Sequence, residues 1–586
     1  MKKFLLPALF LFLALFLVYP LAMLLKGAFF VQTVSGDTIS TGFSLRYFSL
    51  IFENPFYREC FLNSFLIAVI TTIACLVLSV PMAYLFLRCH FPGKILLSTG
   101  LLLPLILPPF VGAIGLSQMF SRFGSVNLAL SYLGVVDLKH PPDWFGSGGF
   151  FGIILLETLH LYPIMFLSVQ AALANLDPSL RDAAQNLGAK GWHIFRTVTL
   201  PLALPGIFAG SSIVFVSAFT DLGVPLMFNF QTSIPTQIFN LVTQADNPIG
   251  YALVVLTLVI VSLMFVLGKK IGEGNYAMLA RSATHDDSVR LSPVLGWLAF
   301  SAVAGLILIS LLPHFGVIIQ SFSAKWFFSI LPSDYSLEFY QEVFTINSTV
   351  TSIKNSLLYA TSSAVFDLVL GLIIAYLLAR EKFIGRNLLD VVVMLPLALP
   401  GLVLAFAYFV AFSRAPLDPS WGPEAFASSI TQFNNWWLAW FDPRKNPTLV
   451  LVIAYSIHRL PYIVRAAYSG FQQTSVSLEE ASANMGAGPF KTLLKISLPL
   501  ISANLIAGTI LTFSFAMLDV SNGMILAQET RFYPVTKAIY ALMGRITPTA
   551  PSIACALGVL SMILLGASLF MASKLLGQKM GQLFKA

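Results

Sequence analysis

Asp221 and Asp519 lie at matched depths in long apolar stretches, where an ionisable side chain is costly and marks either a solute path or a structural pairing. A bound hard cation would take their carboxylate oxygens, and an aspartate capping a broken helix would offer the same oxygens to backbone N–H groups, so both readings stay open. His160 and His458 form a second matched pair, each followed three residues later by a proline, Pro163 or Pro461. Glu157 precedes His160 by one helical turn, which puts both on one face, whereas Tyr455 stands at the matching place before His458. A Glu–His metal site would therefore be one-sided, and hydrogen bonding between helices is the plainer role for the two histidines. Arg459 would either pair with Asp367 in a neighbouring stretch or meet an anionic solute. These six residues (Asp221, Asp519, His160, His458, Glu157 and Arg459) are the candidate translocation path. No cluster of nucleophile and base is visible, so no catalytic residue is assigned, and a metal site is left unknown.

The remaining chemistry narrows quickly. Four cysteines, Cys60, Cys75, Cys89 and Cys555, show no Cys-x-x-Cys or His/Cys spacing, which implies neither a disulfide framework nor a zinc site. Hydrophobic residues make up 57% of the 586 positions and charged ones 10%, a composition that excludes a cytosolic enzyme, a disordered regulator or a secreted disulfide scaffold. Most of the surface has to face lipid or other apolar helices.

Apolar runs long enough to cross a bilayer fall near 4–30, 63–88, 98–120, 150–176, 202–228, 250–268, 294–322, 356–380, 388–413, 448–470, 500–527 and 552–574. They predict an all-α membrane protein with about twelve transmembrane helices. The first run, opening Met1-Lys2-Lys3, is too long for a signal-peptide core and reads as a retained helix. Alternate loops hold most of the lysine and arginine, among them Arg181, Lys190, Arg196, Lys269, Arg281, Arg380, Arg386, Lys491 and Lys495. That bias puts these loops and both termini in the cytoplasm and accounts for the net charge of +8 without nucleic acid as a partner.

The chain repeats itself. Asn63-Ser64 and Asn355-Ser356 each open an apolar run ending at Arg88 or Arg380, and Leu103 to Pro108 aligns with Leu395 to Pro400. Further on, His160, Gly188, Pro201 and Asp221 match His458, Gly486, Pro499 and Asp519, after one length difference in the preceding outer segment. Two six-helix halves, 1–274 and 294–586, are expected, joined by a polar cytoplasmic linker over 275–293. An even number of spans per half relates the halves as parallel repeats.

One inside loop per half carries the most informative text. Asp182-Ala183-Ala184-Gln185-Asn186-Leu187-Gly188 is followed after nine residues by Val198-Thr199-Leu200-Pro201, and Glu480-Ala481-Ser482-Ala483-Asn484-Met485-Gly486 by Ile496-Ser497-Leu498-Pro499. Asp177-Pro178-Ser179 and Ser475 to Ser477 supply helix-start chemistry, and each glycine ends a short helix with a small-residue face. This pattern, over 177–201 and again over 475–499, resembles the coupling motif of permeases of binding-protein-dependent ABC importers with the type I fold. The resemblance covers essentially the whole chain, twice. It implies that Asp182, Ala183, Ala184, Gly188, Leu200, Pro201, Glu480, Ala481, Ser482, Gly486, Leu498 and Pro499 contact an ATPase or shape the loop that does.

The nearest approach to a phosphate-binding loop, Gly486 to Thr492, lacks the glycine before its lysine and has Pro489 in the cradle. No cofactor is therefore expected in this chain, which would not itself be an enzyme. ATP and Mg would be bound by two copies of a separate ATP-binding subunit, and one copy of this chain would serve both. The resemblance further implies a bacterial inner (plasma) membrane location and a periplasmic solute-binding protein docking on the outer loops. Asp221-Leu222-Gly223-Val224-Pro225 resembles a segment of ferric iron permeases, with thiamine, phosphonate or phosphorylated-compound importers as alternatives; Asp519-Val520-Ser521 departs from it. An ion-coupled secondary transporter would also show twelve spans and a repeat, but it has no use for paired inside motifs.

Overall fold

The computed structural model describes residues 2–35, 38–242, 247–272, 289–417 and 424–576. It is all-α: among the described residues ten helices are long and apolar enough to cross a membrane, and twelve spans result if each of two sharply bent pairs counts as one. Strand among the described residues is confined to three two-stranded pairings. The expected linker lies largely outside the described residues, over 275–288.

The bent pairs are the runs expected near 98–120 and 388–413. Lys94–Leu105 and Pro109–Tyr132 meet at 92°, and Arg386–Ala398 and Gly401–Phe412 at 106°. The breaks fall at Pro108 and Pro400, whose backbones are extended at ψ 118° and 139°. Proline has no N–H and its ring collides with the carbonyl four residues back, which kinks or breaks a helix. At three other prolines the helix widens without breaking. Wide π turns occupy Ala14–Val18, Phe195–Thr199 and Leu493–Ser497, each placed over the carbonyl four residues before Pro20, Pro201 or Pro499.

Two compact units form, and they are not contiguous in sequence. One comprises residues 1–54, 237–258 and 338–586, the other residues 55–236 and 259–337. Each half of the sequence thus gives its first helix to the unit built mainly from the other half. In the first unit the N-terminal span packs on Gly401–Phe412: the Tyr408 hydroxyl donates to the carbonyl of Phe16, and the rings of Phe16 and Phe412 lie 6.0 Å apart. Phe16 is the residue four before Pro20, so Tyr408 satisfies an acceptor that Pro20 leaves without a donor. In the second unit the helix Pro293–Ser321 packs on Pro109–Phe120. Gly115 and Gly316 sit at their crossing, where a Cβ on Gly115 would come within 2.0 Å of the Pro313 carbonyl oxygen. Only glycine lets two backbones approach this closely, the small-residue crossing typical of membrane helices.

At the centre of each unit is a triplet of long helices: Pro55–Arg88, Phe150–Ala174 and Leu200–Thr220 in the second, Asn347–Arg380, Thr448–Gln473 and Leu498–Met517 in the first. The repeat is visible bond by bond. Asn63 Nδ2 donates to the Thr232 carbonyl at 3.0 Å, and Asn355 Nδ2 to the Tyr533 carbonyl at 3.2 Å. Ser64 Oγ accepts from Ile234 N at 2.9 Å and Ser356 Oγ from Val535 N at 2.8 Å, which caps the short helices Ile234–Val242 and Val535–Met543.

Gly115→Val forces the Gly115–Gly316 crossing apart at an overpacking cost of roughly 1–3 kcal/mol. The variant in detergent should unfold several degrees below the parent by differential scanning fluorimetry. Gly305→Val, on the same helix as Gly316 with nothing near its added Cβ, should not.

Candidate functional site

The inside loops form the helices the motif predicts. Pro178–Asn186 is capped by Asp177, whose carboxylate accepts from Ser179 N at 2.9 Å, and Val476–Asn484 by Ser475, which accepts from Ser477 N at 3.3 Å. Both end on glycine in the left-handed region, Gly188 at φ +86° and Gly486 at φ +81°. Their successors close the turn, Ala189 N donating to the Ala184 carbonyl and Ala487 N to the Ser482 carbonyl. Asp182, Ala183, Glu480 and Ala481 lie exposed, as do both glycines. Ser482 does not: it is 3% exposed and its hydroxyl meets Thr492 Oγ1 at 2.9 Å, so it shapes the loop from within. Leu200 and Leu498 are half-buried at the first turn of the next long helix, each followed by its proline, Pro201 or Pro499.

The motif did not reveal the apolar tip of each helix. Leu187 is 89% exposed and Met485 81%, at matched positions, and Leu180 and Leu478 accompany them on the exposed surface. An apolar side chain so bare beside a glycine turn, repeated in both halves, is what a protein partner would cover. The two loops differ in their anchorage. Arg380, at the end of Asn347–Arg380, holds the Glu479 carboxylate through Nε at 3.0 Å and reaches the carbonyls of Phe471 and Thr474, while Ser497 Oγ donates to the same carboxylate. Arg181 stands at the matching place in the first loop, so that acid-to-base tie is missing there.

Deeper in each unit lies a buried polar cluster. In the unit built on the first half, Asp221 ends the helix Leu200–Thr220 and accepts from Val224 N at 2.8 Å, capping Gly223–Met227. Glu157, 2% exposed, brings its carboxyl against that of Asp221. Two facing carboxyl groups gather oxygen atoms of the kind a hard cation takes. His160 Nδ1 donates to the Pro104 carbonyl at 2.9 Å. Pro104 lies four residues before Pro108, so the histidine satisfies a carbonyl that the broken helix leaves open. His160 thus bonds across to the segment that Pro108 breaks. His314, on Pro293–Ser321, stands beside His160 and the Pro108 carbonyl with neither ring nitrogen hydrogen-bonded. Sequence reasoning passed over this residue; its signal is a histidine following Pro313 in mid-span.

The other unit has the same frame and different chemistry. Asp519 Oδ1 accepts from Asn522 N at 2.9 Å, and Oδ2 from Asn522 Nδ2 at 3.0 Å. Arg459 Nη2 donates to Asp519 Oδ2, also at 3.0 Å, and its guanidinium lies 5.8 Å from the Phe515 ring centre. The sequence-based pairing of Arg459 with Asp367 is therefore corrected: Asp367 instead accepts from the Ser456 hydroxyl. These two residues match Cys75 and Thr158 of the first half, where the thiol meets the Thr158 carbonyl at 3.6 Å. His458 Nδ1 is 3.8 Å from Asp519 Oδ2, beyond hydrogen-bond length, and does not reach the Pro396 carbonyl as its counterpart reaches Pro104. Lys537, also buried, donates from Nζ to the Met524 carbonyl at 2.7 Å, and burial pushes its ammonium down to about 8, so it remains a cation at neutral pH. Among the described residues no three His, Cys, Asp or Glu side chains converge as a metal site in either unit.

The family model for the inner membrane component of binding-protein-dependent transport systems matches the chain over residues 76–273 and again over 368–582. The chain belongs to this family, and carries its permease domain twice in one polypeptide. FbpB 1 of Haemophilus influenzae, named for a ferric transport system, is 26% identical over 531 residues, covering 89% of this chain and 77% of that protein. The ferric transport system permease protein FbpB of Actinobacillus pleuropneumoniae is 26% identical over 86% of this chain and 69% of its own length. The molybdenum transport system permease protein ModB of Escherichia coli K12 is 34% identical over 29% of this chain and 73% of its own.

Arg459→Gln leaves the Asp519 carboxylate buried without its cation, a loss of about 3–5 kcal/mol for a pair broken on one side. Adding Asp519→Asn should recover much of the lost melting temperature in fluorimetry, which separates a structural pair from two independent groups.

Proposed function

We propose that this permease is the complete membrane pathway of an ATP-driven importer of ferric iron. A periplasmic binding protein delivers the solute to the outer loops, and two separate ATPase subunits, which bind the ATP and Mg, engage the helices Pro178–Asn186 and Val476–Asn484. Both termini and both coupling helices face the cytoplasm, as the lysine and arginine distribution favours. The observation that carries the substrate assignment is the buried Glu157–Asp221 pair, which offers oxygen donors to a hard cation. Two carboxyl groups without a third ligand make a weak contact, suited to passage more than to residence. The two ferric permeases named above, each related across both halves, support the same reading.

A tetrahedral oxyanion is the second reading. Arg459 and Lys537 in the other unit favour it, as does the relation to ModB. Against it, Arg459 already spends its charge on Asp519.

Uptake of radioactive iron and of molybdate by cells expressing the importer decides between them. Glu157→Gln with Asp221→Asn should lower iron uptake at least tenfold while the ATPase still co-purifies. Accumulation of molybdate and not iron would overturn the assignment. The coupling role is tested separately. Leucine at Gly188 or Gly486 must adopt a left-handed backbone at a cost of about 1–2 kcal/mol. Each variant should insert normally yet lose stimulation of ATP hydrolysis by the loaded binding protein, and retained stimulation would refute the role.

A further inference from the structure

The long helix Pro55–Arg88 and the turn leading out of the first coupling helix enclose a cavity of about 730 Å³ within one unit. Its wall is apolar: Val77, Val80, Pro81 and Leu85 on the spanning helix oppose Trp192 and Phe195 on the turn. The rings form a ladder, Trp192 stacked on Phe195 at 5.4 Å and Phe195 edge-on to Tyr84 at 5.2 Å. Val77 is 66% exposed and Trp192 74%, so the cavity opens on the outer face of a spanning helix, the face turned to lipid. A Cβ added to Gly191, at the cavity wall, would meet nothing within 4 Å.

The mouth is basic. The segments 84–94 and 188–199 contain no carboxylate but carry Arg88, Lys94, Lys190 and Arg196. Lys94 is held there by its bond from Nζ to the Cys89 carbonyl at 2.9 Å. The matched place in the second half is built differently. Glu381 replaces Cys89, Pro489 replaces Gly191, and Arg380, the counterpart of Arg88, is engaged by Glu479.

We propose that this cavity binds one anionic phospholipid of the cytoplasmic leaflet. An acyl chain lies between Val77 and the Trp192–Phe195 ladder, and the headgroup phosphate meets Lys190 and Arg196. Aromatic side chains at the end of a span next to a cluster of cations are the chemistry that retains an acidic headgroup over its chain. The leaflet rests on the inward placement of the coupling loops proposed above. The site itself does not, because a nanodisc offers the same lipid on both faces.

The full chain is placed in nanodiscs of phosphatidylcholine containing phosphatidylglycerol or phosphatidylcholine with brominated acyl chains. The Trp192 signal is taken as the difference between the parent and Trp192→Phe. Brominated phosphatidylglycerol should quench it at a mole fraction about thirtyfold lower than brominated phosphatidylcholine does, the preference expected from two cations met at the membrane surface. Lys190→Gln with Arg196→Gln should abolish that preference while quenching by phosphatidylcholine persists. Gly191→Leu, which fills the cavity, should reduce quenching by both lipids. Equal quenching by the two lipids in the parent means general lipid contact only and overturns the proposal. So does a preference that survives the loss of both cations.

Discussion

A backbone carbonyl inside a bilayer must find a donor within the protein, because lipid supplies none. This chain places prolines throughout its spans, and much of its interior architecture answers the acceptors they open. Pro108 opens the Pro104 carbonyl and His160 fills it; Pro20 opens the Phe16 carbonyl and Tyr408 fills it. The helix also widens over the affected carbonyl, before Pro20 as before Pro201 and Pro499. The latter two widened turns lie between the coupling helices and the long helices that follow. The entry of each loop into the membrane is thus fixed by proline geometry more than by side-chain packing.

Duplication supplied one frame, and the halves have since taken different chemistry onto it. The Asn63 and Asn355 bonds, the serine caps, the glycine turns and the paired aspartates keep the frame. The contents differ at matched positions: Glu157 against Tyr455, Leu161 against Arg459, Cys75 against Asp367, Arg181 against Glu479. As a result one buried aspartate lies against a carboxyl group and the other against a guanidinium, although both cap a short helix in the same way. Capping and lining are therefore not competing roles for these residues. One carboxylate oxygen serves the helix and the other remains for a neighbour or a solute.

Most of the frame was legible in the sequence, because its signals are local: apolar run length, proline and glycine at fixed spacing, and the acidic-Ala-Ala helix with its terminal glycine. Partner choice was not legible. Arg459 was within plausible reach of two aspartates, and nothing in spacing along the chain says that Asp519 wins over Asp367; the broken helix end that presents Asp519 decides it. His314 escaped notice because a single histidine in an apolar run has no pattern to announce it. The exchange of first helices escaped for a deeper reason. Apolar faces carry no address in one dimension, and the features that assign them, a glycine crossing at Gly115 and Gly316 or a hydroxyl aimed at Phe16, acquire meaning only when both helices are in hand.

The unequal anchoring of the two helices proposed to couple bears on how force would enter the membrane. Val476–Asn484 is tied to the end of Asn347–Arg380 by a largely buried ion pair, bifurcated from Arg380 Nε to both carboxylate oxygens, and to the following helix by Ser497. A displacement of that helix must drag both neighbours or break a charge-assisted contact, so it acts as a stiff lever. Pro178–Asn186 lacks the acid, and its turn carries instead an apolar ladder against Pro55–Arg88 with cations at the rim. Ring contacts slide at little cost where an ion pair does not, so the first lever is the compliant one. A duplicated permease served by two ATPase subunits would then transmit their closure asymmetrically, and the stiffer arm is the one in the unit where Asp519 is already locked by Arg459. The other arm would belong to the unit that holds the Glu157–Asp221 pair.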